Sequence, residues 1–511
     1  MMSRRNILLS VLSGVLLCFS FPNFVEKTTA IHTWFFIWFA YIPVIYAVLS
    51  SKSEKEAFLY GFISGAVFYL LSLYWLCNVK PMGAGAYAGW AVLSLYLSLF
   101  YGLTFYAAKR LERAAGIACI LTIPVFFAVF DYIREWFLSG FPLLNPAQSQ
   151  LQFVFIIQSL KYAGVYGLDF LILAVNTAAA YLMMKRRVPA PEARAAGLIS
   201  LLIVVFAVMG NLPDKGKTRE IKAAILQSNI SQEIEEWTEE YRSSSMKTYR
   251  ELTKEAAAEE PLIIVWPETA YPGILNVRPY QAVEVARWSG AYNIIGSDSV
   301  DMSQPERLYY NSVFYISPEG ELLGSYSKMH LVPFGEYVPL QHTFSFVRKV
   351  VRRYGYLGFT PGKEIEPVEV DGIKMGAVVC YDSLFPEISR EYARRGTQLL
   401  AHLSYESWYG NSAASAQIFT NTALRAVEND VYIVRAVASG ISGIVDNRGR
   451  IIRQTGLFTK EALTGTAVIK EDYRGTFYSF AGDWFPYFVF CVMLMLVVIR
   501  LKEGLIENPD N

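Results

Sequence analysis

Met375-Gly376-Ala377-Val378-Val379-Cys380-Tyr381-Asp382 reads as one buried strand that delivers a thiol to its tip. A short apolar run ending in β-branched residues suits a strand covered on both faces. Phe385-Pro386-Glu387 follows, so the segment has the look of a nucleophile elbow. The chain has five cysteines, and Cys18, Cys77, Cys119 and Cys491 all lie inside apolar runs of membrane length. Cys380 alone lies outside them. Taken by itself it reads more readily as a buried core cysteine, a common place for a free thiol.

Outward from this strand, residues 213–482 alternate strands with helices. Ile221–Gln227, Leu262–Trp266, Asn293–Gly296, Ser312–Ser317, Met375–Cys380, Gln398–Leu403, Tyr432–Ala436 and Gly443–Asp446 are the expected strands. Glu239–Glu259, Pro279–Ser289, Pro386–Arg395 and Ser412–Glu428 are the expected amphipathic helices. Such a mixture predicts a layered α/β domain. Pro318-Glu319-Gly320 and Asn447-Arg448-Gly449 carry turn chemistry suited to hairpins.

The rest of the chain is of another kind. Of 511 residues, 53% are hydrophobic, and they come in blocks; mean hydropathy is +0.28. Stretches 6–25, 31–50, 57–78, 85–108, 115–133, 163–184, 195–212 and 483–500 have the length and composition of membrane helices. The first follows Arg4 and Arg5 and lacks a small-residue cleavage site, so it reads as a retained anchor. Arg4/Arg5, Lys52/Lys55, Lys109/Arg110/Arg113, Lys185/Arg186/Arg187 and Arg500/Lys502 mark one side of the membrane. Both termini are then cytoplasmic, and residues 213–482 lie outside. The expected organisation is a polytopic α-helical membrane bundle of seven helices (1–212), a soluble α/β domain (213–482), and a last membrane helix with a cytoplasmic tail (483–511).

Some functions are disfavoured at this stage. A net charge of +1 gives no case for nucleic acid or a polyacidic partner. One soluble cysteine offers no disulfide framework. The spans hold few ionisable residues, with Asp131 and Asp169 read as lying near span ends, which disfavours an ion-coupled transporter. Arg134–Leu138 and Leu151–Ile157 suit either an interfacial, lipid-facing role or ordinary aromatic belting.

A thiol near its normal pKa is a weak nucleophile at neutral pH and needs a base or a positive field. Two other segments offer both. Val265-Trp266-Pro267-Glu268-Thr269-Ala270 places a carboxylate just past a buried strand, beside apolar neighbours that would raise its pKa. The stretch Tyr326-Ser327-Lys328-Met329-His330-Leu331-Val332-Pro333-Phe334-Gly335-Glu336-Tyr337-Val338-Pro339 offers a lysine for an oxyanion. Alone, such a Glu or Lys is usually a solvated surface residue.

In this order the three segments resemble the nitrilase, or carbon–nitrogen hydrolase, superfamily, whose triad is Glu, Lys and Cys. The resemblance implies a nitrilase-like α-β-β-α sandwich, with Glu268, Lys328 and Cys380 as the catalytic residues. It reaches further. Ser20-Phe21-Pro22, Gly61-Phe62 with Tyr74-Trp75, Asp131 and Arg134 with Gly140-Phe141-Pro142, Gly164–Leu168 with Asn176, Gln227–Ile230 with Trp237, and Gly482-Asp483-Trp484-Phe485 all resemble the apolipoprotein N-acyltransferase family, the membrane-bound branch.

That resemblance implies acyl transfer in two halves, from a membrane phospholipid such as phosphatidylethanolamine to the α-amine of an S-diacylglyceryl cysteine lipoprotein. It implies no cofactor, no metal and no nucleic acid, a monomer, and a site facing outward from a bacterial inner membrane. Glu336, Trp237, Tyr381 and Asp382 would support the triad. The chain departs from the family's Asn-x-Ser-Asn-Asp-x-Trp-Phe at His402-Leu403-Ser404-Tyr405-Glu406-Ser407-Trp408-Tyr409, and again at Ala438-Ser439; Asp382 stands where the branch has Glu. His402, Tyr405 and Glu406 are therefore expected at the rim of an acceptor pocket. The competing reading is a membrane-anchored nitrilase-type amidase or hydrolase. A transporter or receptor with an external binding domain is a third.

Overall fold

The computed structural model describes residues 3–23, 33–79, 82–185, 190–213, 216–230, 238–303, 305, 307–338 and 358–507. The chain divides into two compact units. One comprises residues 1–213, 408–424 and 481–511; the other comprises 214–407 and 425–480.

The first unit is helical. Its main helices are Arg4–Phe19, Ile42–Leu49, Glu54–Ser72, Ala84–Ala115, Cys119–Arg134, Leu160–Met183, Ala190–Gly210 and Trp484–Glu507. Each expected span overlaps one of them, but 31–50 contains only the short Ile42–Leu49 helix, preceded by the brief turns Trp34–Phe36 and Ile37–Ala40. Among the described residues, Ala84–Ala115, Leu160–Met183 and Ala190–Gly210 are long and apolar enough to cross a membrane. Small residues let the helices approach closely. A Cβ on Gly61 would sit 2.4 Å from Phe105 Cδ2, so only glycine fits there.

Several charged and amide side chains inside this unit are paired. Arg134 lies 2.6 Å from Asp131 and donates to Tyr69 and to the Leu143 carbonyl. Asp169 is wholly buried and accepts from the Ala147 amide at 2.6 Å, so it belongs to the packed interior of the unit and not to its rim. Gln417, in the returning segment 408–424, accepts from Trp75 at 3.0 Å and donates to the Pro22 and Ser72 carbonyls.

The second unit holds two six-stranded sheets. The strands are β1 (Thr218–Gln227), β2 (Ile263–Val265), β3 (Tyr292–Asp301), β4 (Leu308–Ile316), β5 (Leu322–Ser327), β6 (Val368–Val370), β7 (Ile373–Val379), β8 (Leu399–Ser404), β9 (Tyr432–Val437), β10 (Gly443–Val445), β11 (Ile451–Gln454) and β12 (Glu461–Lys470). Their orders are β12-β1-β2-β3-β4-β5 and β11-β10-β9-β8-β7-β6.

Parallel neighbours need a crossover, usually a helix. β1, β2 and β3 pair in parallel, and so do β7, β8 and β9. Glu239–Ala257 and Tyr280–Ser289 make the crossovers of the first sheet. They bury Met246, Tyr249, Leu252, Ala282, Val285 and Ala286 against Leu226, Ile264, Trp266 and Phe314 of that sheet. Pro386–Arg394 covers the second sheet, its Tyr392 ring lying where a Cβ on Gly376 would be. The inner faces meet through Gln227, which accepts from Ser442 and Thr455 at 2.7 Å each. The result is the four-layer α-β-β-α sandwich.

Candidate active site

Crossover strands present their carboxyl ends on one side, where ligands bind in such sheets. Glu268 follows β2 and Cys380 follows β7, one from each sheet, while Lys328 follows β5. The turn carrying Glu268 is packed directly on β3. A Cβ on Gly296 would lie 2.2 Å from the Pro267 carbonyl oxygen, so the strand admits only glycine there. Trp266 fixes the approach by stacking on Tyr249 and donating to Asn293 at 3.0 Å.

Lys328 is the hub. Its Nζ lies 2.8 Å from Glu336 and 3.3 Å from Glu268. Asn311, on β4, donates to the same two carboxylates at 2.7 Å (Glu268) and 3.2 Å (Glu336). Glu336 also accepts the Val332 amide at 2.8 Å, which folds its own loop around the lysine. Lys328 is 1% exposed and Glu268 6% exposed, so these charges are desolvated and depend on one another.

The electrostatics follow from that burial. Desolvation raises the Glu268 pKa above the usual carboxylate range, against the opposing pull of Lys328. Burial alone would lower Lys328, but Glu268 and Glu336 outweigh it and hold the ammonium well above its usual value. Burial, and then the Glu268 charge, push the Cys380 thiol up. The resting site is therefore a neutral thiol beside a carboxylate of raised basicity and a permanent cation. That arrangement suits base-assisted attack followed by oxyanion stabilisation.

Asp382 joins the elbow to the lysine loop. It is wholly buried and accepts from Tyr326 at 2.8 Å, from the Met329 and His330 amides at 3.2 and 2.7 Å, and from Val379 at 3.2 Å. Cys380 itself sits at φ +47°, a left-handed backbone rare for a side-chain-bearing residue and frequent at functional sites. Tyr381 packs edge-on against Phe385. His330 stacks on Phe385 and pairs with Glu387 at 2.8 Å, facing away from the role of a base. Trp237 lies outside the described residues.

His402, Tyr405 and Glu406 are 0%, 4% and 3% exposed. The expectation of rim positions does not hold for them, because β8 is interior in its sheet and its outgoing turn is covered. Sequence reading does not single out Asn311 or Asp298. They stand directly opposite each other on β4 and β3.

Asp298 is pushed up to about 7 by burial and then by the charges of Glu268 and Glu336. The folded state therefore binds a proton that the unfolded chain has released, between roughly pH 4 and 7. Stability present below that window is lost as pH rises through it. Asp298→Asn should accordingly melt higher than wild type at pH 8 and show little difference at pH 4, which a thermal melt series would read. An equal offset at both pH values would show that Asp298 does not titrate in this window.

The sandwich is a carbon–nitrogen hydrolase domain: the family model of that description, Carbon-nitrogen hydrolase, matches residues 222–475. A second, described as Apolipoprotein N-acyltransferase N-terminal domain, matches residues 13–178. Among curated proteins, the chain is 33% identical to the apolipoprotein N-acyltransferase of Geobacter metallireducens, over 98% of this chain and 95% of that one. It is 29% identical to that of Allorhizobium ampelinum, over 78% of each. Among solved structures, a carbon–nitrogen hydrolase from Helicobacter pylori is 20% identical, covering 50% of this chain and 90% of that chain, with a TM-score of 0.38. The chain belongs to the apolipoprotein N-acyltransferase family, and it is an acyltransferase of the inner membrane.

Proposed function

We propose that the enzyme moves an acyl chain from phosphatidylethanolamine, through a thioester on Cys380, to the α-amine of an S-diacylglyceryl cysteine at the start of a lipoprotein. The observation that carries this reading is the Lys328 ammonium held between Glu268 and Glu336. In the first half, Glu268 takes the thiol proton as sulfur attacks the ester carbonyl. Lys328 stabilises the tetrahedral oxyanion. The intermediate expels the lysophospholipid alkoxide, which receives the proton from Glu268. In the second half, the neutral amine attacks the thioester and gives a proton to Glu268. The proton then returns to the departing Cys380 thiolate. Starting from an ammonium acceptor, one proton is released to solvent per turnover.

Both substrates are lipid-anchored, which accounts for a catalytic domain carried on a membrane frame. A small-molecule amidase has no need of one. Purified enzyme given phosphatidylethanolamine and a diacylglyceryl peptide should yield N-acyl peptide and lysophospholipid in equal amounts. Free fatty acid in place of N-acyl peptide would favour the hydrolase reading.

The proposed arrangement is a monomer with residues 1–212 and 483–511 in and beside the membrane, both termini cytoplasmic, and residues 213–482 outside. The Lys and Arg asymmetry of the short loops supports it. A reporter active only in the cytoplasm should be silent when fused after Asp214 and active after Lys502. The opposite pattern would overturn both the topology and an outer-leaflet substrate.

A further inference from the structure

We propose that the short helix Phe477–Ala481 is a membrane-surface anchor, in which Phe477 and Phe480 enter the lipid–water interface and hold this end of the catalytic unit against the bilayer. The proposal rests on the placement of the helix Trp484–Glu507 in the membrane, and on no step of the reaction.

The helix is fixed from its inner side. Thr476 caps it: its hydroxyl accepts the Ser479 amide at 3.1 Å, and the Ser479 hydroxyl accepts the Thr476 amide at 2.8 Å. The Thr476 hydroxyl also donates to the Glu428 carbonyl at 2.7 Å. Tyr478 is wholly buried. Its hydroxyl accepts from Arg390 at 3.1 Å, and the guanidinium lies over its ring, 5.3 Å from the centroid. Arg390 is on Pro386–Arg394, the helix that follows the Cys380 elbow. A helix of five residues is too short to stand alone in water, so these contacts decide which way it faces.

With Tyr478 and Ser479 turned inward, the other side carries Phe477 and Phe480. Positions i and i+3 are neighbours on a helix surface. The two side chains are 52% and 61% exposed. A single exposed aromatic is ordinary. A pair side by side leaves a larger apolar surface in water, where it contributes nothing to folding and is available for burial elsewhere.

The chain itself names the occupant. Ala481-Gly482-Asp483 alone separate Phe480 from Trp484, so the two lie within about 14 Å of each other. Trp484 opens the apolar helix Trp484–Glu507. Trp484, Tyr487 and Phe488 give its first turns the aromatic composition that marks a membrane–water interface. Phe480 is thus tethered near the level at which such rings are most favourable. Electrostatics offers no substitute for that burial. Glu471, Asp472 and Asp483 outnumber Arg474 in the surrounding segment, so anionic headgroups do not draw it in. Through Tyr478 and Arg390 the anchor is joined to the helix behind the elbow. It therefore steadies the catalytic unit against the surface from which the lipid is drawn.

Photo-crosslinking of the full chain tests the contact itself. Phe480→p-benzoylphenylalanine enzyme is reconstituted in vesicles of phosphatidylcholine and phosphatidylethanolamine and illuminated, and adducts are read by peptide mass spectrometry. Position 480 should carry a phospholipid adduct. So should the same substitution of Tyr487, 58% exposed on the membrane helix. Trp288 is 42% exposed at the C-terminal end of the crossover helix Tyr280–Ser289, which runs away from the carboxyl ends of the strands, and substituted likewise it should give none. Adducts at 487 but not at 480, or at 288 as strongly as at 480, overturn the anchor. No adduct at 487 overturns the membrane placement on which it rests.

A second measurement asks what the contact does. Phe477→Ser with Phe480→Ser should slow thioester formation from vesicle phospholipid about fivefold to tenfold, the loss expected when parts of two aromatic side chains no longer leave water. The rate from detergent-dispersed phospholipid should stay as in wild type, and Phe480→Trp should keep the wild-type rate on vesicles. An unchanged rate on vesicles, or equal slowing in both media, overturns the proposal. Wild-type enzyme that forms no thioester in either medium would instead refute Cys380 as nucleophile, and the crosslinking result would stand apart from it.

Discussion

Glu268→Gln and Lys328→Met should each slow thioester formation by roughly a hundredfold or more, the usual loss on removing a general base or an oxyanion donor. The two variants fail for different reasons. The amide introduced by Glu268→Gln would keep the shape of the side chain and still accept from Asn311, but it has no site for the thiol proton. Because burial, which the substitution leaves in place, holds Cys380 in its neutral form, no thiolate is available without that base. The thioether introduced by Lys328→Met would fill the space of the lysine stem. It would remove the only cation within reach of both Glu268 and Glu336 among the described residues. Two buried carboxylates would then share the Asn311 amide with no cation between them, so one would take up a proton, and the oxyanion would lose its partner. Phospholipid binding should change little in either variant, since neither group is needed to hold the lipid. Single-turnover kinetics on purified protein would separate rate from binding. Near-normal acylation in either variant would show that the site is misassigned.

Asp382→Ala should produce the largest loss of stability of any single change at the site, about 3–5 kcal/mol, the range seen when a buried, hydrogen-bonded charge is deleted. Four donors converge on this carboxylate: the Tyr326 hydroxyl and the amides of Val379, Met329 and His330. Alanine would leave all four without it in a space closed to water. Two of the amides belong to the loop that carries Lys328, and one to the strand that carries Cys380. The same deletion should therefore loosen the lysine against the thiol and abolish turnover, even at temperatures where the domain stays folded. Thermal unfolding with a parallel activity assay at low temperature would check both effects. A variant with normal stability would mean that the four donors find other partners. Asp382→Asn should be milder in stability, because it retains an acceptor oxygen.

Part of this architecture is legible in the sequence, and the rest is concealed for physical reasons. Strands buried on both faces, such as Met375–Cys380 and Gln398–Leu403, are unbroken apolar runs and are readable with errors of a residue or two at their ends. The amphipathic helices are readable by their period. β5, β6, β11 and β12 are not. β11 is exposed along its whole length, and β12 carries Thr, Gly and Lys among its apolar residues, so neither shows a clear period of two.

Glu268, Lys328 and Cys380 are visible because each follows an element at a distinctive motif. Asn311 is hidden, since a single asparagine inside Leu308–Ile316 has no local signal until Glu268 and Glu336 are brought to it. The segment at 402–409 shows the limit of reasoning from a pattern. Its departures from the family stand out one residue at a time, and the expectation of a rim follows from their position in a loop. Only the register of β8 on β9 reveals that His402 and Glu406 answer to Arg435.

The central claim is a covalent acyl-enzyme on Cys380, and intact-mass analysis of the purified enzyme incubated with phosphatidylethanolamine alone tests it most directly. The account predicts a mass gain of one acyl chain per protein, located to the Cys380 peptide, released by hydroxylamine, and absent from Cys380→Ser. An unmodified wild-type enzyme that still transfers acyl groups when peptide is added, or a gain that persists in Cys380→Ser, would contradict it.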